Sequence, residues 1–261
     1  MSLSRISSPS NPSLKRARAL SSPSGVRREG AYLAEGFRVV KDIIAASPGT
    51  VLEVMASESF AAEHPDLASC PAERVLVVPD GLFSVISSTV HSQGIVAVCS
   101  LPSTGLDDVV LTREPCLVLD RIADPGNVGT MIRTAAAFDC PAVILTRGSC
   151  EAYSAKAVRA SAGAAAKIKV IQGIAPETLS DWASSLQITL VAAVLDGTPC
   201  QEMILPPRSA IAIGSEAEGL SDELLALCSL RVTIPISPLI ESLNASVAAG
   251  ILLHRCQVKE T

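Results

Sequence analysis

Three separated stretches of this chain put polar side chains and glycines where apolar runs end, which is where chemistry is most readily built. The first is LVLDRIADPGNVGTMIRTAAAF. Its apolar run ends at Asp120, Asp124-Pro125-Gly126 makes a turn, and a helix is expected to begin near Asn127. A helix start offers unpaired N–H groups and partial positive charge, which suits a phosphate. Arg133 falls in the second turn, and helical side chains lean toward the N-terminus, so its guanidinium reaches back toward Asn127. Such an arginine binds an anion or serves a reaction; the plainer reading is a solvated cation on a helix face. The glycines do not follow GxGxxG, so the dinucleotide fingerprint is absent.

The second stretch is AIAIGSEAEGLSDELLALC. A strand is expected to end at Gly214, and Gly214 and Gly219 permit close backbone approach to a ligand. Glu216 is either a ligand contact or a solvated loop carboxylate. Ser221 can cap the next helix, with Asp222 and Glu223 favourable in its first turn. The third stretch is RVTIPISPLIESLNASVAAGILLHRC. Pro235 disfavours a central position for the strand VTIPI. Ser242 and Asn244 stand at the mouth of the helix ASVAAGILL, and capping it is their simplest role. That helix is apolar nearly all round, so it belongs in a core or an interface.

The elements that must position these loops fall into two blocks. Residues 1–100 read as a small α/β unit: a helix in NPSLKRARAL, strands in AYLAEG, TVLEVMAS, ERVLVVP and GIVAVCSL, and a helix in FRVVKDIIAAS. Residues 101–114, within LPSTGLDDVVLTREP, break the periodicity and read as a linker. Residues 115–261 alternate short apolar strands, CLVLD, AVILT, KIKVI, ITLVAAV, AIAIG and VTIPI, with helical stretches. That alternation predicts a mainly parallel sheet covered on both faces, with ligands bound where strands end.

Composition narrows the partners. Residues 1–41 hold eight basic and two acidic residues, +6 within a chain of −5, which suits a polyanion or a solubilising tail. Aromatics are only 3%, which weakens a model of many stacked bases. No run is long enough for a bilayer and the N-terminus lacks a secretory signal, so a cytoplasmic protein without a membrane partner is expected. The eight cysteines form no CxxC and no zinc spacing, so they read as small buried hydrophobes and no metal is expected.

Together DPGNVGTMIRTA, AIGSEAEGLS and IPISPLIESLNASVAAGI resemble, in order and spacing, the three signature motifs of the SpoU/TrmH RNA 2′-O-ribose methyltransferases of the SPOUT superfamily. VRASAGAAAKIKV is similar to the family between the first two motifs, and the resemblance covers residues 115–256. NPSLKRARAL and YLAEGFRVVKDII resemble the family's N-terminal substrate-binding domain, of L30e type.

The resemblance implies an α/β fold, a mainly parallel sheet with a C-terminal deep trefoil knot, beside a small N-terminal α/β domain. It implies S-adenosyl-L-methionine as cofactor, held by Gly214, Ile234 and Leu243. It implies a catalytic and RNA-facing set of Asn127, Arg133, Glu216, Ser242 and Asn244. It implies a homodimer acting on RNA, with large-subunit rRNA favoured and tRNA the alternative. A non-catalytic RNA-binding protein that keeps the fold is the main rival. Phe138-Asp139-Cys140, Ile236 and Ala245 depart from the usual pattern, but none of them removes a polar site residue.

Overall fold

The computed structural model describes residues 4–89 and 91–256. They form two compact units. One runs to Ser103 and adds Tyr153–Lys167; the other is Thr104–Ala152 with the chain from Ile168 onward. Residues 257–261 of the expected second domain lie outside the described residues.

The first unit is a mixed sheet of β1 (Ser4–Arg5), β2 (Ala31–Glu35), β3 (Val51–Ser57), β4 (Arg74–Val78) and β5 (Ile95–Ser100), in the order β1-β4-β3-β5-β2. Its helices are α1 (Pro12–Ala19), α2 (Pro23–Glu29), α3 (Phe37–Ala46), α4 (Glu58–Glu63) and α5 (Asp80–Phe83). Helices α1 and α2 each open on a proline, whose missing N–H costs nothing there, and are capped by Asn11 and Ser22. β2 is buried along its whole length, including Glu35 at its end.

The second unit begins earlier than expected. Leu106 and Val109, from the stretch read as a linker, join its core, and Trp182 Nε1 donates to the Leu106 carbonyl at 3.1 Å. The chain then runs β6 (Cys116–Leu119), α6 (Pro125–Ala137) and β7 (Ala142–Thr146). Residues 153–167, with α7 (Ala155–Ala160), belong to the first unit, where Tyr153 and Tyr32 have ring centroids 5.0 Å apart and Ala157 and Val158 are buried. The second unit resumes with β8 (Lys169–Ile174), α8 (Pro176–Ser185), β9 (Thr189–Pro199), β10 (Ser209–Ile213), α9 (Asp222–Leu227), β11 (Leu230–Thr233) and α10 (Ala245–Cys256).

Its six strands lie in the order β11-β9-β10-β6-β7-β8, and every neighbouring pair is parallel. The predicted parallel α/β sheet is therefore present. β11 stops at Thr233, short of Pro235, which has no N–H to give to the ladder. Helix α10 packs on α6 and buries Ala249, Leu252 and Leu253, whereas Val247 is half exposed, so only one side of this apolar helix is covered. Burial pushes the Cys116 and Cys140 thiols up to about 12, so both stay protonated and behave as small apolar groups. Cys70, Cys99, Cys200 and Cys228 are free thiols as well, and Cys150 is half-buried. The Cys256 side chain lies outside the described ones.

Candidate active site

Strands β6 and β10 are hydrogen-bonded neighbours with Leu119 opposite Ile213, so the loops that follow them leave the sheet side by side. Chain order also reverses here. β7 and β8 extend the sheet on one side of β6, and β10 and β9 on the other. Such switch points open a crevice at the carboxyl ends of parallel strands.

Asp120 is the first residue after β6 and is 1% exposed. One of its carboxylate oxygens accepts from Thr146 Oγ1 at 2.6 Å, the other from the Ser221 N–H at 2.7 Å. A buried carboxylate needs such donors, and these tie the ends of β6 and β7 to the start of α9. Arg121 follows at φ 52°, a conformation uncommon outside glycine, and its guanidinium lies 3.4 Å from the Glu218 carboxylate. In the sequence Asp120 is visible only as the carboxylate closing the apolar run CLVLD, with no role to be read from it, and Arg121 carries no signal of its own.

Gly214 is required by the loop itself. A Cβ there would lie 2.1 Å from the Gly219 carbonyl carbon and 2.2 Å from the Leu220 nitrogen. The loop folds back on itself, with Ser215 N–H donating to the Gly219 carbonyl at 3.1 Å and Gly219 N–H to the Ser215 carbonyl at 2.9 Å. The chain's own backbone therefore demands this glycine. The start of α6 differs from the expected one. The helix begins at Pro125, and its N-cap Asp124 accepts from the Asn127 N–H at 3.0 Å. A carboxylate thus stands where the sequence suggested a phosphate.

Asn127, Glu216 and Asn244 converge from three distant segments. Asn127 Nδ2 donates to Glu216 Oε1 at 2.5 Å. Asn244 Nδ2 donates to the same oxygen at 2.9 Å and to Asn127 Oδ1 at 3.1 Å. The other end of Asn244 caps α10, its Oδ1 accepting from Ser246 N–H at 3.0 Å, Ser246 Oγ at 2.6 Å and Val247 N–H at 3.3 Å. Capping and site-building are thus two ends of one amide. Ser221 caps α9 as expected, accepting from the Leu224 N–H.

Arg133 and Ser242 do not join this network. Both are exposed, and among the described residues neither has a hydrogen-bond or ion-pair partner. Six residues along α6 turn Arg133 about 120° away from Asn127, onto a solvent-facing stripe. Its predicted reach back over Asn127 is not made. Ile234 and Leu243 are half buried. Among the described residues, no group of three or more His, Cys, Asp or Glu could hold a metal, and no helix is long and apolar enough to cross a membrane.

A model of the SpoU rRNA methylase family matches residues 114–254, and a model of the MRM3-like substrate binding domain matches residues 11–97. The chain is 29% identical, over 97% of its length and 98% of the relative's, to the 23S rRNA (guanosine(2553)-2′-O)-methyltransferase RlmP of Bacillus subtilis. A putative RNA methyltransferase of the TrmH family from Porphyromonas gingivalis is 31% identical, superposes with a TM-score of 0.80, and is matched over 93% of this chain and 95% of that one. The AdoMet-bound rRNA methyltransferase of Sinorhizobium meliloti is 26% identical, with a TM-score of 0.85 over 97% of both chains.

Proposed function

Because the chain belongs to the SpoU rRNA methylase family, we propose that it uses S-adenosyl-L-methionine to methylate the 2′-hydroxyl of a ribose in large-subunit ribosomal RNA. The observation that carries this reading is the convergence of Asn127, Glu216 and Asn244 at the strand-end crevice.

The Glu216 carboxylate at the crevice favours a cationic sulfonium nearby, and half-buried Ile234, just after β11, and Leu243, just before Asn244, are the residues we assign to the adenine, for which they offer apolar surface. When bound, the cofactor supplies the methyl group and its leaving group. The protein's task is then to position and to stabilise charge. Asn127 and Asn244 brace Glu216, which fixes the loop after β10 against the starts of α6 and α10. Arg133, turned away from Asn127, keeps an open guanidinium that can hold an RNA phosphate, and it serves the developing 2′-alkoxide only by swinging toward the crevice when RNA binds. A guanidinium is a poor base, so we assign it an electrostatic role rather than proton abstraction. Ser242, equally open, orients the ribose. The 2′-hydroxyl is also what separates RNA from DNA at such a site.

A homodimer and a trefoil knot complete the proposal. Leu239 is 90% exposed and Ile240 and Val247 about half exposed, an apolar surface at the mouth of α10 that a second copy would cover. The knot reading is supported by the return of the chain after β11 to pack α10 on α6. An rRNA substrate implies a cytoplasmic enzyme. Mapping 2′-O-methyl sites in RNA from cells with and without the gene tests the reading. Loss of one methyl in large-subunit rRNA is expected; loss confined to tRNA would reassign the substrate, and no loss would overturn the activity.

A further inference from the structure

Three of the chain's four phenylalanines gather at one place in the first unit. The Phe60 and His64 rings stack with centroids 4.2 Å apart, and Phe37 lies 5.0 Å from His64 and 5.7 Å from Phe60. Phe60 is 8% exposed and anchors the group, whereas Phe37 is 42% exposed at its open end. In a chain with 3% aromatics, an aromatic cluster with a bare outer ring calls for an explanation.

Beside it opens a hollow of about 300 Å³, which Phe60, Phe83, Asp80, Glu63 and Gln93 help to line. That volume stands at the small end of ligand sites and suits one planar heterocycle. The walls offer both kinds of hydrogen bond. Asp80 is held as a carboxylate: hydrogen bonds from the Ser59 N–H and hydroxyl lower its pKa below the ordinary range. Gln93 Oε1 accepts from the Phe37 N–H at 2.7 Å, which leaves its Nε2 as a donor with no partner among the described residues. One amide thus joins the aromatic cluster to the hollow. Lys41 lies one turn along α3 on the face of Phe37, with Arg38 next to it; both are exposed and unpaired among the described residues.

We propose that this place binds one unpaired RNA base, stacked on Phe37 with its polar edge turned to Gln93 and Asp80, while Lys41 and Arg38 hold the flanking phosphates. Aromatic stacking tolerates any base, but a carboxylate beside an amide donor favours a base whose edge carries both donor and acceptor groups. The inference rests on the RNA-methyltransferase reading for its partner, yet it concerns binding and needs no catalysis.

The test uses the full chain and two probes of one sequence: a labelled 12-nucleotide single-stranded RNA and the same RNA fully paired. Phe37→Ala is expected to weaken single-strand binding by about 5- to 150-fold, the cost of losing one stacked base, and to leave duplex binding within about twofold. Phe37→Tyr should retain single-strand binding. Gln93→Glu keeps the acceptor for the Phe37 N–H but loses the donor, and should weaken the single strand alone. Unchanged single-strand binding in Phe37→Ala, or an equal loss for both probes, overturns the proposal. Methyl transfer measured on the same preparations reports separately on the parent reading: a failed transfer with these binding effects intact would strike the activity and not the base site.

Discussion

At the residue scale the account turns on Asn244, whose two ends do different work. Its Oδ1 caps α10 and its Nδ2 binds Asn127 and Glu216. Asn244→Asp separates the two. Aspartate caps a helix about as well as asparagine, so the melting temperature should hold. It donates nothing, however, and sets a second carboxylate against Glu216. Methyl transfer should then fall tenfold or more, the effect of losing about 1.4 kcal/mol of donor interaction. Asn244→Ala should lose both functions, with about 1 kcal/mol of stability going with the cap. Kinetics and thermal melts on the two variants check this; parent-like turnover in Asn244→Asp would detach the network from the reaction. Residue types alone pointed to Asn127, Glu216 and Asn244 as polar groups at element ends. They did not point to Asp120, whose importance comes from burial and from partners more than 25 residues away.

At the element scale most of the strands were legible, because an apolar β-branched run between turn residues has few other uses. The sheet order was not. Nothing local in CLVLD or AIAIG says that β6 and β10 are neighbours, and that pairing is what sets Asn127 beside Glu216. The start of α6 was misplaced because Asp124-Pro125 reads equally as a turn and as an N-cap followed by proline. In the first unit, Glu35 at the end of β2 organises the loop after α5. It is 6% exposed and accepts from the Ser87 and Ser88 hydroxyls, the Ser88 N–H and the Thr89 hydroxyl. Burial alone would raise its pKa; those hydrogen bonds outweigh burial and hold it below the ordinary carboxylate value of 4.5. A lowered folded pKa gives stability that is present above the unfolded value and lost as pH falls through the folded one. Melting temperature recorded from pH 7 down to pH 3 should therefore drop on the acid side, and Glu35→Gln should flatten that drop while costing about 1–3 kcal/mol at pH 7. An unaltered acid limb in Glu35→Gln would remove Glu35 from the account.

At the scale of the whole molecule the two units are interleaved in sequence. VRASAGAAAKIKV resembled part of the methylase motif pattern, yet Tyr153–Lys167 packs with the first unit, through Tyr153 against Tyr32 and the buried Ala157 and Val158. Hydrophobic periodicity marks a helix but does not say which sheet covers it. A chain shortened to residues 104–261 should therefore carry an uncovered apolar segment; limited proteolysis should cut first within 153–167, and equal protection there in both lengths would contradict the division. The central claim is tested most directly by incubating purified full-length protein with tritiated S-adenosyl-L-methionine and deproteinised large-subunit rRNA, then digesting to nucleosides. We predict label in a single 2′-O-methyl nucleoside, lost when Glu216 is replaced by Ala. Label on a base, or no label above the Glu216→Ala control, would contradict it.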